Sequence, residues 1–307
     1  MSTTHQGVFE RARTPAEPGP GPLSWASLRA LDLAIGRRVG GLLAGDYNSA
    51  FVGVGTELHQ VREYQPGDDV RRIEWNTTAR TGTPHVRVEL AERVLVTWLV
   101  VDLSASMALG TAERRKIDVA EGVAIAMGHV ATRRGDRLGV VTFGGKRPQV
   151  VPPRRGRLGL LRALEAAREA PGGSGRVADA LAMVHSVATE RAFVAVISDF
   201  RGPHDWQRGL LGVSSRHATM AIEIRDRRED ELEDVGELRL LDPETGRQVL
   251  VDTADAGLRK RFADAAREER QEVTRALSAS GARHVVLSTS GDWLLSLGTF
   301  MRHKEAR

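Results

Sequence analysis

The sequence contains no cysteine, which excludes a disulfide framework and any chemistry that depends on a thiol. Aromatic residues make up only 5% of the chain and acidic residues are interspersed among the basic ones, so the interleaved aromatic and basic surface of a single-strand nucleic-acid-binding protein is not evident. Lysine is scarce as well: of 44 basic residues, 4 are lysine and 40 (44 − 4) are arginine. The net charge of +4 therefore reflects a preference for arginine, and we expect no nucleic-acid partner.

Long apolar runs are also missing. The longest, Val94 to Val101, has the length of a strand and falls well short of the roughly 18 residues that span a membrane. Residues 1–22 lack the apolar region of a signal peptide and are rich in proline and glycine from Pro18 to Pro22, so we expect them to be disordered. These features predict a cytoplasmic protein with no membrane span.

The remaining pattern alternates between strands and helices, as in an α/β protein. Leu23 to Ala44 has the apolar spacing of an amphipathic helix, and residues 59–93 contain short extended pieces that include an edge strand at 85–90. Further strands are predicted at 94–101, 136–143, 149–151, 192–199, 218–224, 237–241, 248–251 and 284–288, and helices at 111–134, 158–170, 177–190, 254–280 and 293–302.

The most informative motif follows the apolar run at 94–101, which is typical of a central parallel strand buried on both faces. The strand ends on Asp102, Ser104 and Ser106, spaced as Asp-x-Ser-x-Ser. One carboxylate and two hydroxyls at alternate positions are oxygen ligands that suit a hard cation such as Mg²⁺. The alternative is that the two serines only turn the chain and cap the next helix, because Ser is common at both places.

A second buried strand, at 192–199, also ends in an acid, Asp199. If the two strands are parallel neighbours, Asp102 and Asp199 lie at the same edge of the sheet, where open α/β sheets bind their ligands. A single carboxylate leaves a divalent ion with net positive charge, so an acidic side chain of another protein is favoured as a further ligand.

These residues resemble two known families. Asp102 to Ser106 is similar to the metal-ion-dependent adhesion site of von Willebrand factor A domains. The stretch at 59–80, HQVREYQPGDDVRRIEWNTTAR, resembles the signature of the bacterial domain of unknown function family 58. The resemblance covers about residues 24–303. It implies a smaller signature segment at 23–93, a doubly wound, mainly parallel sheet of the von Willebrand factor A type at 94–303, no enzymatic activity, and a MoxR-type AAA+ ATPase as partner.

The resemblance also implies the rest of a Mg²⁺ or Mn²⁺ site. Asp199 matches the acid after the fourth strand, which is a ligand directly or through water. The usual threonine ligand comes from the loop after the second helix, and that loop has no threonine here. Ser174 can supply a hydroxyl instead, although Gly175 matches the threonine position equally well. The expected metal ligands are therefore Asp102, Ser104, Ser106, Ser174 and Asp199.

Other functional interpretations each lack a feature that the chemistry requires. A haloacid-dehalogenase phosphotransferase needs a second acid at position 104, where this chain has Ser104. The glycine-rich stretch at 172–175 does not directly follow a buried strand, as a nucleophile elbow does, and Gly53 and Gly55 lack the third glycine of a dinucleotide loop. The sequence thus predicts a non-catalytic interaction module, and a metal-dependent hydrolase that uses Asp102 stays open as the alternative.

The signature residues Asp68, Arg71, Arg72, Trp75 and Arg80 have two interpretations. Arginine can bond carboxylates with two parallel hydrogen bonds and stack on tryptophan, so these residues can form a buried polar knot. They can also form a contact surface for an ATPase partner. The knot is the favoured hypothesis, because polar networks of this kind commonly fix a conformation.

Overall fold

The computed structural model describes residues 58–89, 96–110, 114–133, 136–145, 148–155, 175–241 and 246–302. These residues divide into two compact units, with 58–89 in one and the described residues from 96 onward in the other. The helices predicted at Leu23 to Ala44 and at 158–170 lie outside the described residues, as does Ser174.

The smaller unit contains strand β1 (Leu58–Glu63), helix α1 (Trp75–Thr81) and strand β2 (His85–Glu89), and the two strands pair antiparallel. Strand β2 confirms the edge strand expected at 85–90. Helix α1 was not predicted, because residues 59–93 were expected to contain only short extended pieces. It ends at Gly82, whose φ of 75° lies in the left-handed region that glycine adopts at little cost.

The larger unit follows the predicted alternation. In chain order its elements are β3 (Val96–Asp102), α2 (Lys116–Arg133), β4 (Arg137–Phe143), β5 (Gln149–Arg154), α3 (Val177–Val187), β6 (Phe193–Ser198), α4 (Trp206–Arg216), β7 (Ala218–Arg225), β8 (Glu237–Leu241), β9 (Gln248–Asp252), α5 (Ala256–Ala279), β10 (Arg283–Ser288) and α6 (Trp293–Arg302). Strands β8 and β9 form the antiparallel hairpin that the sequence predicts. None of the described helices is long and apolar enough to cross a membrane.

The main sheet has the order β10-β7-β6-β3-β4-β5, in which only β5 runs antiparallel to its neighbour. Moving along the chain from β3, the sheet grows first through β4 and β5 and then on the other side of β3 through β6, β7 and β10. This reversal confirms the doubly wound, mainly parallel sheet of the von Willebrand factor A type. It also makes the carboxyl ends of β3 and β6 the switch point, where a crevice for ligands opens.

The core explains why these strands are so apolar. All seven residues of β3 are buried, because the sheet is covered on both faces. Alternate residues Trp98 and Val100 join a core cluster with side chains from α3 and α4, such as Leu181 and Leu210. The residues between them point to the other face, and α2 also packs on β3 and β4. The switch-point loops therefore stand on a rigid base.

Candidate functional site

Asp102 is the last residue of β3 and is 97% buried, with a relative exposure of 3%. Its Oδ1 accepts a hydrogen bond from the backbone N–H of Ser104 at 2.9 Å. Its Oδ2 accepts one from the hydroxyl of Ser198 at 2.5 Å, and that hydroxyl accepts one from the backbone N–H of Phe200 at 3.0 Å. The carboxylate is therefore held at a fixed position, and each of its oxygens keeps capacity for a further partner.

The two serines of the motif lie directly after Asp102 and are half-buried. Their hydroxyl groups are hydrogen-bonded to each other, with the two oxygens 3.1 Å apart. Ser104 precedes a short 3₁₀ turn at Ala105–Ala108 but does not cap it with its side chain. Its hydroxyl instead contacts the hydroxyl of Ser106. This disfavours the alternative that Ser104 only caps the next helix.

Asp199 follows β6, the parallel neighbour of β3, so the structure brings the two acids to one edge of the sheet as the sequence predicts. Its Oδ2 lies 2.6 Å from Nζ of Lys116, and its Oδ1 accepts a hydrogen bond from the backbone N–H of Arg201 at 3.2 Å. Burial raises the pKa of Asp199, but Lys116, Arg201 and the hydroxyl of Ser106 outweigh burial and leave that pKa below its usual value. Asp199 therefore stays charged.

The pKa of Asp102 shifts in the opposite direction from that of Asp199. Burial, followed by the charge of Asp199, raises the pKa of Asp102 to about 7, although hydrogen bonds from Ser104 and Ser198 act against the shift. Burial and the charge of Asp199 thus both disfavour the charged form of Asp102. A cation at this position would stabilise that charged form.

Two glycines, Gly144 and Gly175, allow close backbone contacts beside the Asp102–Ser106 loop. Gly144, in the turn between β4 and β5, has a φ of 97°, and a Cβ there would lie 2.1 Å from the backbone nitrogen of Ser104. A Cβ at Gly175 would lie 2.7 Å from the nitrogen of Gly144 and 2.9 Å from the oxygen of Gly145. Threonine therefore does not fit at position 175 without a backbone shift, which gives a physical reason for its absence there.

The donor set fits a divalent cation with oxygen ligands. Adjacent ligands of an octahedral Mg²⁺ ion, each about 2.0–2.1 Å from the metal, are about 2.9 Å apart. The 3.1 Å spacing of the Ser104 and Ser106 hydroxyls is close to that value, and the hydroxyl of Ser104 is also hydrogen-bonded to the carboxylate of Asp102. Within the described ranges, no group of three or more His, Cys, Asp or Glu side chains forms a metal cluster. A cation held here depends on the two hydroxyls.

Lys116 is the main residue that sequence reasoning missed. Its side chain has no exposed surface, and its Nζ also lies 2.6 Å from Oε1 of Glu229. Burial lowers the pKa of Lys116, but the charges of Asp199 and Glu229 outweigh burial and raise it, so the ammonium is charged. A signal was available: the chain uses arginine ten times as often as lysine, and the compact ammonium of lysine fits between two carboxylates.

Two of the signature residues in the smaller unit, Trp75 and Arg80, do not belong to a buried knot. Asp68 accepts two short hydrogen bonds from Arg62, at 2.6 and 2.7 Å, and this pair is half-buried. Trp75 is 69% exposed, and Arg80 is exposed too. The hypothesis of a buried knot is therefore wrong for Trp75 and Arg80, because α1 is only two turns long and directs them to solvent.

Comparison with known proteins places the chain in a family. The family described as Protein of unknown function DUF58 matches residues 60–272. The chain belongs to this family. Two relatives of this chain are the uncharacterized proteins Mb1516 of Mycobacterium bovis and Rv1480 of Mycobacterium tuberculosis. Each is 41% identical over 282 residues, covering 90% of this chain and 88% of the relative.

Solved structures with a similar fold are more distant from this DUF58 protein. BatB from Bacteroides thetaiotaomicron is 10% identical, with a TM-score of 0.43 over 67% of this chain and 97% of BatB. The VWA domain of SpRpn10 is 16% identical, with a TM-score of 0.41 over 70% of this chain and all of that domain. The fold class rests on the sheet order itself and not on these scores.

Proposed function

We propose that this DUF58 protein is a non-catalytic interaction module that captures an acidic side chain of a partner protein through a divalent cation. The cation, Mg²⁺ or Mn²⁺, is bound by Asp102, Ser104 and Ser106. The observation that carries the proposal is the 3.1 Å spacing of the two hydroxyls beside a buried, hydrogen-bonded carboxylate.

The position and charge of these groups favour docking. They stand at the switch point of the sheet, where a partner can approach, and Ser104 and Ser106 keep part of their surface exposed. Asp102 supplies one negative charge, so a divalent ion keeps a net positive charge toward solvent. A carboxylate from a partner adds a ligand to the cation and neutralises its remaining positive charge.

The resemblance of the sequence to family 58 makes a MoxR-type AAA+ ATPase the first partner to test. Purified ATPase is passed over the immobilised full chain in millimolar Mg²⁺ and again in chelator. We expect retention only with Mg²⁺, and loss of retention with Asp102→Asn. Asp264→Asn, which alters a partly exposed aspartate on α5, is the matched control and keeps binding. Retention that survives both chelator and Asp102→Asn contradicts the proposal.

One observation favours a second candidate, a metal-dependent hydrolase. The pKa of Asp102, raised by burial to about 7, matches the value that suits a general acid or base at neutral pH. A divalent cation bound to Asp102 would lower that pKa and keep the carboxylate charged, which disfavours Asp102 as an acid or base in a metal-dependent reaction. Turnover of p-nitrophenyl phosphate with Mg²⁺ by the purified chain, abolished by Asp102→Asn, supports hydrolysis. Absence of turnover supports the binding module.

A further inference from the structure

Lys116 delivers a buried positive charge to the edge of the cation site. It is the first residue of α2, and its backbone N–H donates to the carbonyl of Leu109 at 2.8 Å, which fixes the start of the helix beside the motif loop. Its ammonium contacts Asp199 and Glu229 at 2.6 Å each, with the side chain fully buried. A buried lysine of this kind is costly unless both contacts are kept.

Asp199 is the point of competition. It contacts Lys116 on one side and the hydroxyl of Ser106 on the other, and Ser106 is a ligand of the proposed cation. A divalent ion and the ammonium of Lys116 therefore compete for the carboxylate of Asp199. They also repel each other, because two positive charges share a site of low dielectric constant.

Glu229 gives the ammonium an alternative partner. It follows β7 on a short 3₁₀ turn, Arg227–Glu229, and it also pairs with Arg201 at 3.1 Å. If Asp199 turns toward a cation, Lys116 retains a charged contact through Glu229. The three residues thus provide two arrangements of one network, with Asp199 bound to the ammonium or to the cation.

We propose that Lys116 sets the cation affinity of the site by competing with the divalent ion for Asp199, with Glu229 as its alternative partner. This inference rests on the proposed function only in that a cation binds at Asp102, Ser104 and Ser106. Cation binding is weak while Lys116 holds Asp199, and a carboxylate from the partner strengthens it. Cation and partner therefore bind cooperatively.

The test is a titration of the metal-free full chain with Mn²⁺, followed by calorimetry and by the loss of the free-ion electron paramagnetic resonance signal. Lys116→Met removes the charge but keeps most of the volume, and we expect Mn²⁺ to bind about tenfold tighter or more. Lys260→Met makes the same change at an exposed lysine of α5 and leaves affinity unchanged. Equal or weaker binding by folded Lys116→Met overturns the inference.

A double variant separates competition from a general effect of charge, and Glu229→Gln tests the second contact of Lys116. In the Asp199→Asn background, Lys116→Met tightens binding by a clearly smaller factor than in the parent chain, because the shared carboxylate is gone and only the direct repulsion is relieved. Glu229→Gln acts in the opposite direction to Lys116→Met and weakens Mn²⁺ binding at least about threefold, since Lys116 then depends on Asp199 alone. If circular dichroism shows that Lys116→Met is unfolded, Glu229→Gln decides, and unchanged or tighter binding by that variant overturns the inference.

The outcomes distinguish this inference from the proposed function. Measurable binding by the parent chain with no gain in Lys116→Met overturns only the inference. Tighter Mn²⁺ binding by Lys116→Met, with no Mg²⁺-dependent retention of the ATPase by the parent chain, supports the inference and overturns the proposed function. Absence of Mn²⁺ binding in every variant overturns both.

Discussion

The substitution Gly144→Ala tests whether close backbone packing on Gly144 holds the Asp102–Ser106 loop in place. Gly144 has a φ of 97°, and a Cβ would lie 2.1 Å from the nitrogen of Ser104 and 2.4 Å from the carbonyl carbon of Leu103. Both contacts are with backbone atoms, so no flexible side chain can move aside. Either the turn between β4 and β5 or the Asp102–Ser106 loop has to shift.

The cost of the change has two parts. A non-glycine residue in the left-handed region costs about 1–2 kcal/mol. Overpacking against rigid surroundings costs about 1–3 kcal/mol more. The free energy of unfolding should therefore fall by about 2–5 kcal/mol, a large share of the 5–15 kcal/mol that is typical of a domain. A folded fraction should also bind Mn²⁺ less tightly, because its loop is displaced.

Gly202→Ala is the matched control. Gly202 has a φ of 88°, but a Cβ there meets no atom within 4 Å, so only the backbone part of the cost applies. Urea unfolding followed by tryptophan fluorescence reports the core of the larger unit, since Trp98 of β3 and Trp206 of α4 are buried in one core cluster. We expect Gly144→Ala to lose at least about 1 kcal/mol more than Gly202→Ala. Equal losses refute the argument that the loop packs on Gly144.

Three further predictions follow from single contacts. Ser198→Ala removes the hydroxyl that donates a hydrogen bond to Oδ2 of Asp102. It should lower the free energy of unfolding by about 1–3 kcal/mol at pH 8, measured by urea titration. An unchanged free energy of unfolding contradicts that hydrogen bond. Burial raises the pKa of Glu223, but His284 and other hydrogen-bond donors outweigh it, so that pKa lies below its usual value. The stabilisation by Glu223 is therefore complete above its unfolded pKa of about 4.3 and is lost as pH falls through the lower folded value. Glu223→Gln should melt below the parent chain at pH 7, and the difference should shrink as pH falls below about 4.3, whereas a constant difference contradicts the linkage. Trp75→Ala should change stability by no more than about 0.5 kcal/mol because the ring is 69% exposed, and a loss above about 2 kcal/mol restores the buried knot.

The sheet could be predicted because its signals are local. The apolar run before Asp102 has the length and composition of a strand buried on both faces, and all seven residues of β3 are buried. The same reasoning placed Asp199 at the end of a parallel neighbour, which the register of β3 and β6 confirms. Element ends were less predictable: the helix expected from Thr111 begins at Lys116 in the described residues.

The electrostatic surroundings of the site could not be predicted, because they depend on contacts distant in sequence. Lys116 meets Asp199 across 83 positions and Glu229 across 113, and no local pattern encodes either pair. Helix α1 was missed for a different reason. It is seven residues long and lacks a side-chain cap, so the left-handed Gly82 at its end was the only strong local signal.

The most direct test of the central claim is a calorimetric titration of the metal-free full chain with Mn²⁺, beside Asp102→Asn. The account predicts a saturable heat for the parent chain and none for the variant, because Asp102 supplies the charge that holds the ion. The ion should also raise the melting temperature of the parent chain alone, since it binds only the folded state. No heat up to millimolar Mn²⁺, or equal heats for both proteins, contradicts the existence of a cation site at Asp102, Ser104 and Ser106.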